Sequence, residues 1–226
     1  MTGELVEYTT PAQQSNRGYL AVPNAGTGPA VIVIQEWWGL VDHIKDVADR
    51  FAAAGFVALA PDLYHGETTT SPDEAGRLMM ALNIEQTARD LKGAIEYLRS
   101  HPAVQGNRVG TVGFCLGGQL SLMAACENPE VGACVDFYGI HPQVHPDFSR
   151  LACPVLGFFG ANDEMVTPEA AKALEARIRA ADRAVEFHVM PSAGHAFFND
   201  SRPAAYHPEA ARQAWEKTLG FFRQHL

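Results

Sequence analysis

The sequence predicts an α/β fold in which a mainly parallel sheet lies between helices on both of its faces. Two observations carry this. Short apolar runs alternate with amphipathic stretches along the whole chain, and the runs are continuously apolar, which suits strands covered on both sides. Strand and helix in turn imply right-handed crossovers between parallel strands.

The apolar runs are Ala30–Gln35, Phe56–Ala60, Val109–Phe114, Ala133–Tyr138, Val155–Phe159 and Val185–Met190. Between them the spacing predicts helices over His43–Ala54, Ile84–Arg99, Leu116–Ala125, Pro168–Ala180 and Pro208–Phe222. Asp42 and Thr167 stand where N-caps belong, Pro168 suits a first helical turn, and Gly55 suits a helix end. The opening segments Leu5–Thr9 and Gly18–Val22 leave no room for a helix between them and predict an antiparallel edge hairpin. The stretch Ile140–Ala152 is short and Pro-rich, so no separate lid domain is expected there.

With 226 residues, 47% hydrophobic and 19% charged, the chain is expected to form one domain spanning residues 1–226. The net charge of −9, with no clustered Lys and Arg, argues against nucleic-acid and anionic-membrane partners. That leaves a small molecule as the expected partner. No apolar stretch reaches the roughly 18 residues of a membrane helix. The N-terminal segment carries no basic start followed by an apolar run, so no secretory signal is read and a cytoplasmic location is expected. The four cysteines, Cys115, Cys126, Cys134 and Cys153, show no CxxC pairing and are expected to be free thiols.

In a parallel sheet, ligands bind beyond the carboxyl ends of the strands, so the residues after each apolar run are where chemistry is sought. After Val109–Phe114 comes Gly113-Phe114-Cys115-Leu116-Gly117-Gly118. A nucleophile on a tight strand-to-helix turn needs small residues on either side, and this is the nucleophile elbow G-x-S-x-G with Cys replacing Ser. The N-terminus of the following helix favours the thiolate. Taken alone, Cys115 also reads as a buried structural cysteine in a Gly-rich turn.

After Val155–Phe159 comes Asp163, with Glu164 as a rival acid, and after Val185–Met190 comes His195. Singly, each also reads as an ordinary loop residue. Together they give nucleophile, acid and histidine in the chain order of the α/β-hydrolase triad, each just past its own strand. His195 then serves as base and acid, and Asp163 orients it. Asp136 lies inside a strand and too early in the order. The oxyanion is expected to meet the backbone N–H groups of Leu116 and Trp37.

Glu36, at the mouth of a strand, reads either as a solvated carboxylate or as a neighbour of Cys115 whose charge opposes the thiolate. Trp38, Tyr64, Tyr138 and Phe197 lie near strand ends, where some belong to the core and others wall the acyl pocket. The segment Leu63–Asn83 is expected to bound that pocket. His141 and His145 sit among prolines without a third ligand, His188 reads as a packed histidine, and no dinucleotide or Walker motif is present, so neither metal nor cofactor is expected.

The segments IQEWWG, PDLYHG, GTVGFCLGG, FFGANDE and PSAGHAFF, in this order, resemble those of the dienelactone hydrolase (carboxymethylenebutenolidase) family. The resemblance implies an α/β-hydrolase fold, a Cys-Asp-His ester or lactone hydrolase, and usually a cytoplasmic monomer. It also implies that Glu36 contacts the resting thiol. Chlorocatechol-pathway members grip a substrate carboxylate with two arginines, and here the corresponding positions are Asn199 and, by alignment, Pro72. This departure predicts weak recognition of a free carboxylate, unless Arg77 or Arg202 swings into the pocket. A thioesterase, a small-peptide hydrolase or a general esterase on the same triad, and a peroxide-responsive thiol at Cys115, are the competing readings.

Overall fold

Alternate side chains of the central strands fall into two separate cores, one on each face of a single sheet. Ala30, Ile32 and Ile34 pack with Val57 and Leu59 on one face. Val31 and Val33 pack with Ala58 and Ala60 on the other. This is why the strands read as unbroken apolar runs.

The computed structural model describes residues 3–226; residues 1 and 2, the start of the N-terminal segment read above, lie outside them. Eight strands make the sheet: β1 Glu4–Thr9, β2 Ser15–Ala21, β3 Gly28–Ile34, β4 Val57–Pro61, β5 Val104–Phe114, β6 Val131–Phe137, β7 Val155–Gly160 and β8 Val185–Met190. Their order is β1-β2-β4-β3-β5-β6-β7-β8. The β1–β2 hairpin is antiparallel and joins β4 antiparallel, and every pairing from β4 to β8 is parallel. The fold is that of an α/β hydrolase.

The helices are α1 Asp42–Ala53, α2 Pro72–Ala81, α3 Ile84–Ser100, α4 Leu116–Glu127, α5 Pro168–Ala180 and α6 Pro208–His225. Helices α1 and α6 contribute Ile44, Phe51, Ala214 and Phe222 to one core, and α3 and α4 contribute Leu91, Ile95 and Leu120 to the other. Among the described residues no helix is long and apolar enough to cross a membrane. Between β6 and β7 there is only a one-turn helix, Phe148–Arg150, so no lid domain enters there.

Thr167 caps α5 through its side chain, and Gly55 ends the α1 turn at φ +98°. Asp42 is a correction. It is the first residue of α1, where its charge suits the helix dipole, and Val41 holds the cap position. Helix α2 was not foreseen: only Ala75 and Leu78 of it are buried, too few to write a period into the sequence. The amino half of β5 is likewise polar and exposed, so its apolar run marks only the carboxyl half.

Candidate active site

Cys115 stands between β5 and α4 with φ +55° and ψ −122°, a conformation that L-residues rarely adopt. The turn is clamped from below. The Cys115 N–H donates to Phe137 O at 3.0 Å, and Cys115 O accepts from the N–H groups of Gly118 and Ile140 at 2.9 and 3.2 Å. The glycines around it are sterically required. A Cβ on Gly113 would stand 1.8 Å from Gly117 O, and one on Gly117 would stand 2.5 Å from Gln35 O. A Cβ on Gly118 would meet Asp136 Oδ1 at 2.1 Å.

The elbow leaves the Leu116 N–H at the helix start, without an intrahelical acceptor. Among the described residues, neither this group nor the Trp37 N–H donates to a protein acceptor. Both positions expected for an oxyanion hole are therefore unoccupied donors.

His195 Nδ1 lies 2.8 Å from Asp163 Oδ2. Asp163 is itself held by the N–H groups of Met165 and Val166, each donating to Oδ1 at 2.8 Å. Asp163, not the exposed Glu164, thus orients the imidazole. His195 Nε2 is buried without a protein partner of its own. Burial pulls the His195 pKa down, but the Asp163 hydrogen bond and the Cys115 sulfur outweigh it and push the value up to about 10. The structure thus brings Cys115, His195 and Asp163 together at the carboxyl edge of the sheet.

Glu36 is buried, which removes the solvated reading. Its Oε2 accepts a 2.6 Å hydrogen bond from Asn199 Nδ2, while its Oε1 is unpartnered. No hydrogen bond joins Glu36 to the Cys115 sulfur, in contrast to the contact that the resemblance implies. Burial raises the Glu36 pKa, and Asn199, His195, Arg202 and Tyr138 each oppose that rise.

Two tyrosine hydroxyls, those of Tyr64 and Tyr138, are buried and unpartnered, and the Cys115 sulfur is near enough to raise the pKa of both beyond what burial does. Tyr138 sits at φ +44°, its ring 5.1 Å from that of His195. Phe197 is a correction to the pocket reading. It is fully buried and packs edge-on against Tyr138 at 5.2 Å, which makes it core.

Asn199, the partner of Glu36, also lines a cleft of about 560 Å³ walled by Trp38, Thr68, Pro72 and Arg202 among others, and Cys115, Asp163 and His195 are not among its lining residues. Segment 63–83 contributes Thr68, Thr69, Thr70 and Pro72 to the cleft wall. Arg202 lies over the Trp38 ring at 4.6 Å, whereas Arg77 is exposed and bound to Glu74. His43, buried at the cleft and 3.4 Å from Asp200, is a site residue that sequence reasoning missed, because a histidine on a helix face carries no spacing signal. Gln35 was missed too; its Oε1 accepts from Leu63 N at 3.2 Å and ties the end of β3 to the segment after β4. His141 and His188 are structural: the former bonds Met79 O at 3.1 Å, and the latter stacks on Phe158 at 5.5 Å.

Residues 16–226 match the model of the dienelactone hydrolase family. This chain belongs to that family. Protein usf of Aquifex pyrophilus is 35% identical over 99% of both chains. A protein of Aquifex aeolicus, provisionally named carboxymethylenebutenolidase, is 32% identical over the same share of each. Among solved structures, a provisionally assigned dienelactone hydrolase from Klebsiella pneumoniae superposes with a TM-score of 0.86 at 30% identity, covering 98% of this chain and 100% of that one. A dienelactone hydrolase-like promiscuous phosphotriesterase from metagenomic libraries gives 0.87 at 25% identity, over 100% and 99%. The dienelactone hydrolase family assignment makes the chain a carboxylic ester hydrolase.

Proposed function

We propose that this dienelactone hydrolase family member cleaves activated esters or lactones by nucleophilic catalysis at Cys115, through a thioacyl-enzyme. The observation that carries the reading is the strained elbow. It holds the Cys115 sulfur beside the His195–Asp163 pair while leaving the Leu116 and Trp37 N–H groups free.

His195 takes the thiol proton, and the sulfur attacks the carbonyl carbon, forming a C–S bond as the carbonyl π pair moves onto oxygen. The resulting oxyanion is received by the two free N–H groups. Its collapse breaks the C–O bond, and the imidazolium delivers its proton to the departing oxygen. A water then gives a proton to His195 and attacks the thioester. The second tetrahedral adduct expels the sulfur, which takes the proton back from the imidazolium, and releases the acid. Asp163 keeps the imidazole in the required tautomer and supports its charged form. Glu36 acts on the resting thiol through its charge, which opposes the thiolate. Trp38 and Asn199, which line the cleft, bound the substrate, and Tyr138, as fully buried as Phe197, does not.

The test is a hydrolysis panel of enol lactones, aryl esters, alkyl esters and thioesters, run beside Cys115→Ala. Turnover of enol lactones and aryl esters that disappears in Cys115→Ala is the expected result. A dominant thioesterase profile would redirect the substrate class. No turnover on any class, with Cys115 oxidising readily, would replace the reading with a redox thiol.

A further inference from the structure

Asn199 has a fixed orientation. Its Oδ1 accepts from both the N–H and the hydroxyl of Ser201, at 3.1 and 2.6 Å, so its amide N–H must face Glu36. The Glu36 carboxyl is fully enclosed, and that amide is the only hydrogen-bond donor it has among the described residues. A buried carboxylate with one donor depends on it. Without it, only His195, Arg202 and the Tyr138 hydroxyl, each a smaller influence than Asn199, offset the cost of placing a charge there. Asn199 also lines the cleft, and Glu36 does not.

We infer that Asn199 is a positioning residue which keeps Glu36 in its ionised form, and that through Glu36 alone it restrains the reactivity of Cys115. The inference rests on the reading of Glu36 as a charge opposing the Cys115 thiolate. When Asn199 is lost, burial drives Glu36 to take up a proton. The neutral acid no longer opposes ionisation of the thiol, so loss of Asn199 has the same effect as Glu36→Gln. A ligand in the cleft meets Asn199 first, and reaches the Glu36 charge only through it. The groups that face this pair are few. His195 and Arg202 lie on the same loop as Asn199, and Tyr138 follows β6. Tyr64 and Tyr138 face the sulfur, and Asp163 backs His195. Beyond Asn199, Asp200 is engaged by Arg50 and lies near His43. Each variant leaves these groups in place.

The experiment is iodoacetamide alkylation of Cys115 across pH in the full-length protein, located by peptide mass, in wild type, Glu36→Gln, Asn199→Leu and the double variant. Thermal unfolding is recorded for each, and Asn199→Ser replaces the leucine variant if that one does not fold. Glu36→Gln and Asn199→Leu are each expected to raise the rate at neutral pH several-fold and to shift the profile to lower pH. The double variant should match Glu36→Gln alone. Faster alkylation in Glu36→Gln with an unchanged or slower rate in Asn199→Leu would overturn the inference and leave the reading of Glu36 intact. Additive gains in the double variant would also overturn it, because Asn199 would then reach the sulfur by another route. An unchanged rate in Glu36→Gln would remove the underlying reading and the inference together. A merely structural Asn199 would lower the unfolding temperature without moving the profile.

Discussion

The Arg202 guanidinium lies 4.6 Å from the centre of the Trp38 ring, on the wall of the cleft that Asn199 also lines, and among the described residues it makes no ion pair. A cation in that setting is oriented by the ring face and remains available to an anionic group. Asn199 and Pro72 stand at the same cleft as neutral residues, in keeping with the departure from the family pattern. Of the two arginines able to compensate, Arg77 is occupied by Glu74 and Arg202 is free to do so.

Discrimination of a substrate carboxylate is therefore expected to reside in Arg202. Losing a charge-assisted hydrogen bond costs about 1.5–3 kcal/mol, or roughly tenfold to a hundredfold in kcat/KM. Arg202→Gln should lower kcat/KM for dienelactone by about that factor at low salt and leave its methyl ester nearly unchanged. A wild-type enzyme with no salt-sensitive difference between acid and ester would return to the sequence expectation of weak carboxylate recognition. An equal loss on both substrates would assign Arg202 to packing.

The nucleophile also limits the leaving group. In the tetrahedral adduct the sulfur competes with the departing oxygen, and a thiol, with a reference pKa of about 8.5, leaves far more readily than an alkoxide. Aryl and enol esters should turn over much faster than ethyl esters of the same acid. Comparable kcat/KM values for ethyl and phenyl esters would contradict this.

Asp163, not Glu164, should carry the support of His195. Asp163→Asn is expected to lower kcat by several orders of magnitude, up to about 10⁴-fold where one carboxylate sets an imidazole tautomer, whereas Glu164→Gln should leave kcat near wild type. Steady-state rates on one aryl ester decide it, and the reverse pattern would transfer the role.

Asp136 makes a prediction about stability. It is buried under the elbow against Gly118 and Gly139, and burial pushes its pKa up from 3.8 to about 7, only partly offset by the Gly139 backbone. A carboxyl whose folded value is raised favours folding while protonated. This contribution is complete below about pH 4 and is lost as pH rises towards 7. The whole change is on the order of 4 kcal/mol. Asp136→Asn should therefore gain stability relative to wild type between pH 4 and pH 8, read as a rising difference in urea midpoint. A constant difference across that range would show that the folded protein does not raise the Asp136 pKa above its unfolded value.

The sheet, most of the helices and the positions of Cys115, Asp163 and His195 past strand ends were legible because each leaves a periodic or positional mark in the sequence. Strands covered on both faces are continuous apolar runs, and the triad residues stand just past three of them. What escaped was written by contacts between distant segments. The Asn199–Glu36 bond joins residues 163 apart in sequence, and nothing local to either announces it. The burial of Phe197 and the exposed, weakly patterned α2 depend on what packs around them. His43 reads as one more polar residue on α1 until Asp200 is brought against that helix.

The central claim is that acyl transfer passes through the Cys115 sulfur. The most direct measurement is intact-protein mass spectrometry of the enzyme quenched within milliseconds of mixing with an aryl ester, followed by peptide mapping. The predicted result is an added acyl mass on the peptide carrying Cys115, cleaved by hydroxylamine and absent in Cys115→Ala, which also lacks turnover. Sustained turnover by Cys115→Ala, or an acyl group found on another residue, would contradict the account.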